Sequence, residues 1–243
     1  MPAQTFKREA ALVTGASQRV GKTIALKLAA MGFDIALHYQ SSIKDAARTA
    51  QEIKRSGVRC ALFNCDFTKE EETCSLVGAV KEIFPRLALL INNASIFEPS
   101  TIKRASLDNF NRHWAINLKA PWILTQTFAK LCRQGQIINI LDTHITRHKT
   151  KYAAYLLSKK ALSELTKLAA VELAPNIRVN AIAPGLILPP ANEDKSYLER
   201  LAQNVPLKKK GDVDQIAQTI EFLINNPYLT GQIIFNDGGE HLL

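Results

Sequence analysis

The chain has 243 residues, 47% hydrophobic and 22% charged, so it can bury one large core and still present a polar surface. No apolar run approaches the roughly 18 residues needed to cross a bilayer, and the first ten residues lack a hydrophobic signal core, so we expect a cytoplasmic protein without membrane contact. The net charge of +9 favours anionic ligands, but the basic residues are scattered without interleaved aromatic residues, which argues against a nucleic-acid surface.

Short apolar runs alternate with amphipathic stretches along the chain. The runs predict strands at residues 10–13, 34–37, 59–63, 88–91, 136–141, 178–182 and 232–235. The amphipathic stretches predict helices near residues 20–31, 43–56, 69–84, 107–132, 151–173 and 213–225. This alternation predicts an α/β fold, a mostly parallel sheet with helices on both faces, in a single domain spanning residues 1–243.

Residues 186–207 interrupt the alternation with Pro189, Pro190 and a short polar helix-like piece. The stretch follows the carboxyl end of a strand, where doubly wound sheets bind ligands, so we expect a substrate lid rather than a plain surface excursion. The four cysteines have no zinc-type or redox-type spacing, which predicts reduced thiols and no bound metal.

The first strand runs into Thr14-Gly15-Ala16-Ser17-Gln18-Arg19-Val20-Gly21 and then a helix. Such a turn lets backbone N–H groups and the helix N-terminus approach a pyrophosphate, with Gly15 allowing the turn and Gly21 allowing close packing. Arg19 occupies a position where dinucleotide-binding turns often have glycine, so an ordinary strand–helix turn remains the alternative on this signal alone.

The second strand ends in His38-Tyr39-Gln40-Ser41-Ser42, without the carboxylate that NAD-preferring enzymes usually place against the adenosine ribose. Arg19, His38 and the two serines offer hydrogen-bond donors to a 2′-phosphate instead. Each charge-assisted contact contributes roughly 1.5–3 kcal/mol, so this pattern predicts NADPH as the cofactor.

Tyr155 and Lys159 lie four residues apart in a predicted helix and therefore share a face. A free phenol has a pKa of about 10, and a neighbouring ammonium favours the phenolate and moves that pKa toward neutrality. The pair indicates proton transfer, although an exposed helix face gives the same spacing.

The chain resembles the short-chain dehydrogenase/reductase superfamily from end to end. The matching residues are Thr14-Gly15 and Gly21 after strand one, Asp66 after strand three, Asn92-Asn93-Ala94 after strand four, Asn117 in the following helix, Tyr155 with Lys159, and Pro184-Gly185 after strand six. The resemblance implies a doubly wound Rossmann domain with a seven-stranded parallel sheet of order 3-2-1-4-5-6-7, assembled as a homotetramer.

The resemblance also implies roles for single residues. Asp66 would meet the adenine, Lys159 would hold the nicotinamide ribose and tune Tyr155, and Asn117 would support Lys159 through a water chain. Together with the turn and the end of strand two, it gives the expected cofactor contacts: Gly15, Arg19, Val20, Gly21, His38, Tyr39, Ser41, Ser42, Asp66, Phe67, Asn93, Ala94, Ser95, Tyr155, Lys159, Pro184, Gly185 and Leu186.

Three departures from the common pattern narrow the resemblance. Asp142 stands where a substrate-orienting serine is usual, Ser95 follows Asn-Asn-Ala where glycine is usual, and Arg19 replaces a glycine. All three look like the pteridine reductase and dihydromonapterin reductase branch. That resemblance implies Asp142, Tyr155, Lys159 and Asn117 as catalytic residues and Arg19, Ser95, Phe97, Asp142, Tyr155 and Leu186 as substrate contacts.

We therefore predict NADPH-dependent reduction of a dihydropterin, namely dihydromonapterin, dihydrobiopterin or dihydrofolate, to its tetrahydro form. A flat pterin can stack between Phe97 and the nicotinamide, its N–H edge can donate to Asp142, and its C=N bond needs a proton. The alternatives are a carbonyl or 3-oxoacyl-carrier reductase and a non-catalytic NADP-binding sensor. The intact set of Tyr155, Lys159 and Asn117 argues against the sensor.

Overall fold

A computed structural model describes residues 8–189 and 195–243. All seven strands form one parallel sheet in the order β3-β2-β1-β4-β5-β6-β7, which confirms the predicted topology. Residues 1–7 of the predicted domain and residues 190–194 of the predicted lid lie outside the described residues. The strands are β1 Ala10–Val13, β2 Asp34–Tyr39, β3 Cys60–Asn64, β4 Leu87–Asn92, β5 Gly135–Ile140, β6 Ile177–Pro184 and β7 Ile233–Asn236.

Helices cover both faces of the sheet. They are α1 Arg19–Ala30, α2 Ile43–Lys54, α3 Glu70–Ile83, α4 Leu107–Trp114, α5 Ala120–Leu131, α6 Ala153–Glu172, α7 Lys195–Ala202 and α8 Val213–Asn225. Two short 3₁₀ turns, Thr143–Thr146 and Glu240–Leu242, lie after β5 and at the end of the described chain. Within the described ranges, no helix is long and apolar enough to span a bilayer.

The long helix predicted over residues 107–132 is divided by a π-helical segment, Ala115–Lys119. Pro121 has no N–H to donate to the carbonyl of Asn117 four residues earlier, so the α-helical pattern is interrupted there. The N–H of Ala120 instead donates to the carbonyl of Ala115, five residues earlier. Such segments are frequent at functional sites, and this one contains Asn117.

The buried residues form three hydrophobic clusters, and alternate residues of the strands supply the two larger ones. In β1, Ala10 and Leu12 pack in one core while Ala11 and Val13 pack in the other. Side chains of α3, α5 and α6 close the first core, and side chains of α1, α2 and α8 close the second. Because all strands run parallel, their carboxyl ends meet at one edge, and the turn after β1 and the loops after β4, β5 and β6 lie there together.

Candidate active site

The turn between β1 and α1 requires glycine at two positions. Gly15 has a φ of +63°, and a Cβ there would lie 2.9 Å from the Cα of Ala94. A Cβ on Gly21 would lie 2.2 Å from the carbonyl oxygen of Gly15. The side-chain amide of Asn93 donates to the carbonyls of Thr14 and Gly15, at 2.8 and 3.1 Å. The turn is therefore held against the end of β4 with its backbone accessible.

A cavity of about 340 Å³ adjoins this turn. Its lining includes twelve of the predicted cofactor residues, Gly15, Arg19, Val20, Gly21, His38, Tyr39, Ser41, Ser42, Phe67, Asn93, Ala94 and Ser95. The N-terminus of α1 opens into it, and the lining contains no carboxylate among the residues that the structure describes. Backbone donors at a helix N-terminus and two serine hydroxyls fit the phosphates of a dinucleotide.

Two predicted cofactor residues, His38 and Asp66, form hydrogen bonds within the protein. Nδ1 of His38 accepts from the N–H of Gly15 at 3.0 Å, and Nε2 lies 3.0 Å from the carbonyl oxygen of Cys65. Burial lowers the pKa of His38 to about 4, so the ring is neutral and has no hydrogen left for a 2′-phosphate. The carboxylate of Asp66 accepts from Thr68 and does not line the cavity, whereas the ring of Phe67 does.

Arg19, the first residue of α1, is one of two non-glycine residues with positive φ among the described residues, at +54°. This left-handed conformation favours glycine and costs an arginine roughly 1 kcal/mol. The Nη2 of Arg19 donates to the carbonyl of Pro189 at 2.7 Å. Arg19 therefore joins the cofactor turn to the loop after β6.

Three of the predicted catalytic residues, Asp142, Tyr155 and Lys159, lie together. The hydroxyl of Tyr155 donates to Oδ2 of Asp142 at 2.7 Å. Nζ of Lys159 donates to the carbonyl of Ile140 at 2.7 Å and lies 5.9 Å from the centroid of the Tyr155 ring. Tyr155 and Lys159 are buried, at 6% and 2% exposure.

The ionisation of Tyr155 differs from the prediction. Burial, followed by the negative charge of Asp142, raises the pKa of Tyr155 well above 10. Burial lowers the pKa of Lys159 to about 8. The expected lowering of the Tyr155 pKa by Lys159 is wrong for this arrangement, because Asp142 contacts the hydroxyl directly while the ammonium is bound to Ile140. Tyr155 is a neutral phenol that holds a proton.

Asn117 is fully buried behind this centre. Its Oδ1 accepts from the N–H of Ile96 at 2.9 Å and the hydroxyl of Ser95 at 3.1 Å, and its Nδ2 donates to Ser158 at 3.1 Å. Ser158 precedes Lys159 on α6. Asn117 thus ties the loop after β4 to the helix that carries Tyr155 and Lys159.

A second cavity, of about 350 Å³, opens onto Tyr155. Phe97 lies at its rim, 45% exposed, with one face stacked on Tyr152 at 4.3 Å and its ring edge-on to Tyr155 at 4.7 Å. Tyr197 and Leu198 of α7 also line it. The remaining predicted residues in its lining are Arg19, Val20, Asn93, Ser95, Asp142, Lys159, Pro184, Gly185 and Leu186.

Three residues that contact the predicted site residues were not predicted from the sequence. His144 contacts Asp142, Glu240 contacts His144, and Tyr152 stacks on Phe97. Asp142 and His144 are two residues apart, so their contact could have been predicted from the sequence. Glu240 lies 96 residues from His144 and gives no local signal.

A parallel sheet with a glycine turn at its switch point and a buried Tyr–Lys pair beside the cavity defines an NAD(P)-dependent oxidoreductase. A family model described as enoyl-(acyl carrier protein) reductase matches residues 15–241. The chain belongs to the short-chain dehydrogenase/reductase family.

Three relatives illustrate the range of the family. The 3-oxoacyl-(acyl-carrier-protein) reductase of Synechocystis sp. is 32% identical over 95% of this chain and 96% of its own length. The enzyme of that name, FabG, from Staphylococcus epidermidis is 33% identical over 96% and 99%. The structure of FolM alternative dihydrofolate reductase 1 from Brucella canis, complexed with NADP, has a TM-score of 0.90 and 34% identity, covering 97% of this chain and 95% of that one.

Proposed function

We propose that the chain reduces the C=N bond of a 7,8-dihydropterin, with NADPH as the electron donor, to give a tetrahydropterin and NADP⁺. When bound, NADPH would supply the hydride for the carbon of the C=N bond. Tyr155 gives its hydroxyl proton to the nitrogen, and water returns a proton to the phenolate. Lys159 and Asn117 keep Tyr155 in position for this proton transfer.

The observation that carries the proposal is the hydrogen bond of 2.7 Å from the hydroxyl of Tyr155 to Oδ2 of Asp142, which places a carboxyl group at the substrate cavity. Burial would raise the pKa of Asp142, but hydrogen bonds from His144 and Tyr155 and the charge of His144 keep it below its usual range. A carboxylate accepts hydrogen bonds and donates none. It suits the amino-pyrimidine edge of a pterin, which presents N–H groups.

NADPH is supported by the end of β2, where Ser41 and Ser42 line the cavity without a carboxylate. Arg19 lines the same cavity and supplies a cation. The Brucella canis protein was complexed with NADP. Because His38 has no hydrogen to donate, Arg19, Ser41 and Ser42 remain to bind the 2′-phosphate. Three donors are enough for a strong preference for NADPH over NADH.

Reduction of a 3-oxoacyl carrier substrate is the second candidate, because both curated relatives described above carry that name. A ketone oxygen accepts hydrogen bonds and becomes more negative as hydride arrives. Asp142 would oppose that charge, whereas a serine would donate to it. The arrangement around Asp142 therefore favours the pterin.

Two further features belong to the proposal. The described parts of the predicted lid, residues 186–189 and 195–207, act as a lid, since Leu186, Leu188, Tyr197 and Leu201 line the substrate cavity. The chain works as one domain and assembles as a homotetramer.

The test is a pair of variants at Asp142, each assayed on a dihydropterin and on a 3-oxoacyl thioester. Asp142→Asn keeps the shape but removes the charge, so kcat on the dihydropterin should fall at least about 100-fold, while the Kd of NADPH changes little. Asp142→Ser should also lose pterin turnover. Near-normal pterin reduction by either variant, or thioester reduction by Asp142→Ser that exceeds wild-type pterin reduction, overturns the proposal.

A further inference from the structure

His144 and Glu240 extend the reaction centre: His144 lines the substrate cavity beside Asp142, and Glu240 lies on the other side of its imidazole. The ring Nδ1 of His144 lies 2.6 Å from Oδ1 of Asp142, and the backbone N–H of His144 donates to the same oxygen at 2.7 Å. On the other side of the ring, Nε2 lies 3.2 Å from Oε1 of Glu240. Tyr155, Asp142, His144 and Glu240 thus form one continuous row of hydrogen-bonded groups.

The row is shielded from water. The side chains of Asp142 and His144 are 18% and 17% exposed, and that of Glu240 is 8% exposed. Oε2 of Glu240 is buried without a hydrogen-bond partner among the described residues. Two carboxylates on either side of one imidazole favour its protonated form, because an uncompensated buried charge is costly.

The other charged groups facing this row come from three elements. The loop after the 3₁₀ turn contributes Arg147, 3.7 Å from Glu240, and Lys149, which contacts both Glu240 and Nε2 of His144. Helix α6 contributes Tyr155 and Lys159, which act on His144 through Asp142. In the C-terminal segment, His241 and Asp237 pair with each other at 2.9 Å.

The positions of Lys149 and Glu240 define two states of the imidazole. When the imidazole carries a positive charge, its Nε2 donates to Glu240. When the imidazole is neutral, its Nε2 accepts from the ammonium of Lys149. Nδ1 donates to Asp142 in both states, so the two states differ in charge rather than in the placement of Asp142.

We propose that His144 is a positioning residue whose imidazolium form, stabilised by Glu240, supports proton transfer from Tyr155 by compensating the charge of Asp142. The assignment rests on the proposed function only in giving Asp142 and Tyr155 their part in proton transfer.

The physical reason is the charge that builds up during the reaction. When Tyr155 gives its proton to the substrate nitrogen, a phenolate forms 2.7 Å from the carboxylate of Asp142. Two adjacent anions in a buried site repel strongly. A positive charge on His144 offsets this repulsion from one side, as Lys159 does from the other.

The pH dependence follows from the titration of His144. Burial would lower its pKa, but hydrogen bonds to Asp142 and Glu240 raise it to about 8. The imidazolium is therefore present below pH 8 and is lost as the pH rises through that value. Reduction should slow on the alkaline side as His144 loses its charge. Lys159, whose pKa is also about 8, titrates in the same range, so the contribution of His144 is the part of the inflection that substitutions of its neighbours shift.

The first experiment measures the imidazole directly, by NMR titration of the ¹⁵N-labelled full-length protein without substrate. His144→Asn identifies the signal among the five histidines. Glu240→Gln removes a neighbouring negative charge and should lower the midpoint of His144, whereas Lys149→Gln removes a positive charge and should raise it. Shifts in the same direction, or no shift in either variant, overturn the proposal.

The second experiment follows hydride transfer in a single turnover across pH 6 to 10. The wild-type alkaline midpoint should agree with the NMR value and should move down in Glu240→Gln and up in Lys149→Gln. His144→Asn keeps a donor toward Asp142 but no charge, so it should lose about tenfold in rate at pH 6.5. The inflection that remains reports Lys159, and it should no longer move when Glu240→Gln or Lys149→Gln is added. An unchanged rate and inflection in His144→Asn overturns the proposal.

The two proposals fail in different ways. If the protein reduces only the 3-oxoacyl thioester, the pterin assignment fails, and the same pH profiles are measured on the thioester. Opposite shifts there still support the role of His144. If pterin turnover is rapid but the alkaline midpoint of its pH–rate profile is the same in the wild-type protein, Glu240→Gln and Lys149→Gln, the role of His144 fails and the pterin assignment stands.

Discussion

Arg19 accepts an unfavourable backbone conformation, φ +54°, that glycine would occupy without strain. Arg19 lines the same cavity as Ser41, Ser42 and the N-terminus of α1, and its guanidinium donates to the carbonyl of Pro189. We expect this placement to select NADPH, with kcat/KM at least about tenfold higher than for NADH.

Arg19→Ala keeps an L-residue in the same conformation and should remove most of that preference by raising the KM of NADPH. Arg133→Ala is the matched control, because Arg133 lies before β5, at the opposite edge of the sheet. Equal kcat/KM for the two cofactors in the wild-type protein would contradict the phosphate site.

Phe97 lies where its ring can stack on a bound pterin. Its ring is fixed by Tyr152 on one face and by the edge contact to Tyr155, yet it stays 45% exposed at the substrate cavity. Phe97→Ala should weaken binding of a pterin by about 1–3 kcal/mol with little change in the Kd of NADPH. Calorimetric titration measures both. Tyr228→Ala, an exposed aromatic outside the cavity, is the control, and equal pterin affinity in the two variants would exclude stacking on Phe97.

At the scale of elements, the strands were predictable because buried parallel strands are apolar on both faces. β1 and β4 read as continuous apolar runs, and their observed ends differ from the predicted ones by at most one residue. The π-helical segment was not predicted, since it depends on Pro121 within an otherwise regular helical pattern. Pairing between Glu240 and His144 depends on chain closure over 96 residues, which no local pattern reports.

The same limit applies inside the site. Asp142, Tyr155 and Lys159 could be predicted as a group because each follows a recognisable motif. The inward turn of His38 could not, because its two hydrogen-bond partners, Gly15 and Cys65, come from other elements. The residue type allowed both a phosphate contact and a structural bond, and packing decided between them.

Helix α1 packs so closely on its own turn that one methyl group should disrupt it. A Cβ on Gly21 would lie 2.2 Å from the carbonyl oxygen of Gly15 and 2.6 Å from Nδ2 of Asn93. Gly21→Ala should lower the free energy of unfolding by about 1–3 kcal/mol and weaken NADPH binding at least about tenfold. Urea unfolding and fluorescence titration with NADPH measure the two effects.

Gly78 is the matched control in α3, because a Cβ there meets nothing within 4 Å. Gly78→Ala should raise the free energy of unfolding by about 0.5–1 kcal/mol, through helix propensity, and leave NADPH binding unchanged. If both substitutions had the same effect on unfolding, the close approach at Gly21 would be refuted.

At the scale of the whole molecule, helices α5 and α6 present an apolar surface to solvent. Leu157, Leu168 and Val171 recur at helical spacing on one face of α6 and are 49%, 65% and 82% exposed. Trp122 on α5, which packs against α6, is 53% exposed. Exposed apolar side chains on neighbouring helices, here called the patch, indicate an interface between proteins.

This patch supports the proposed homotetramer, since symmetric assemblies bury the same surface of each subunit against its copy. Sedimentation velocity of the wild-type protein at micromolar concentration should give a single species near four times 26.9 kDa. Val171→Glu places a charge in the patch, and an unpaired buried charge is costly, so this variant should sediment as a smaller species. Ile83→Glu is the control, because Ile83 is 49% exposed at the end of α3, outside the patch, and should leave the tetramer intact. A monomeric wild-type protein, or a Val171→Glu variant that remains tetrameric, would show that this face does not hold the subunits together.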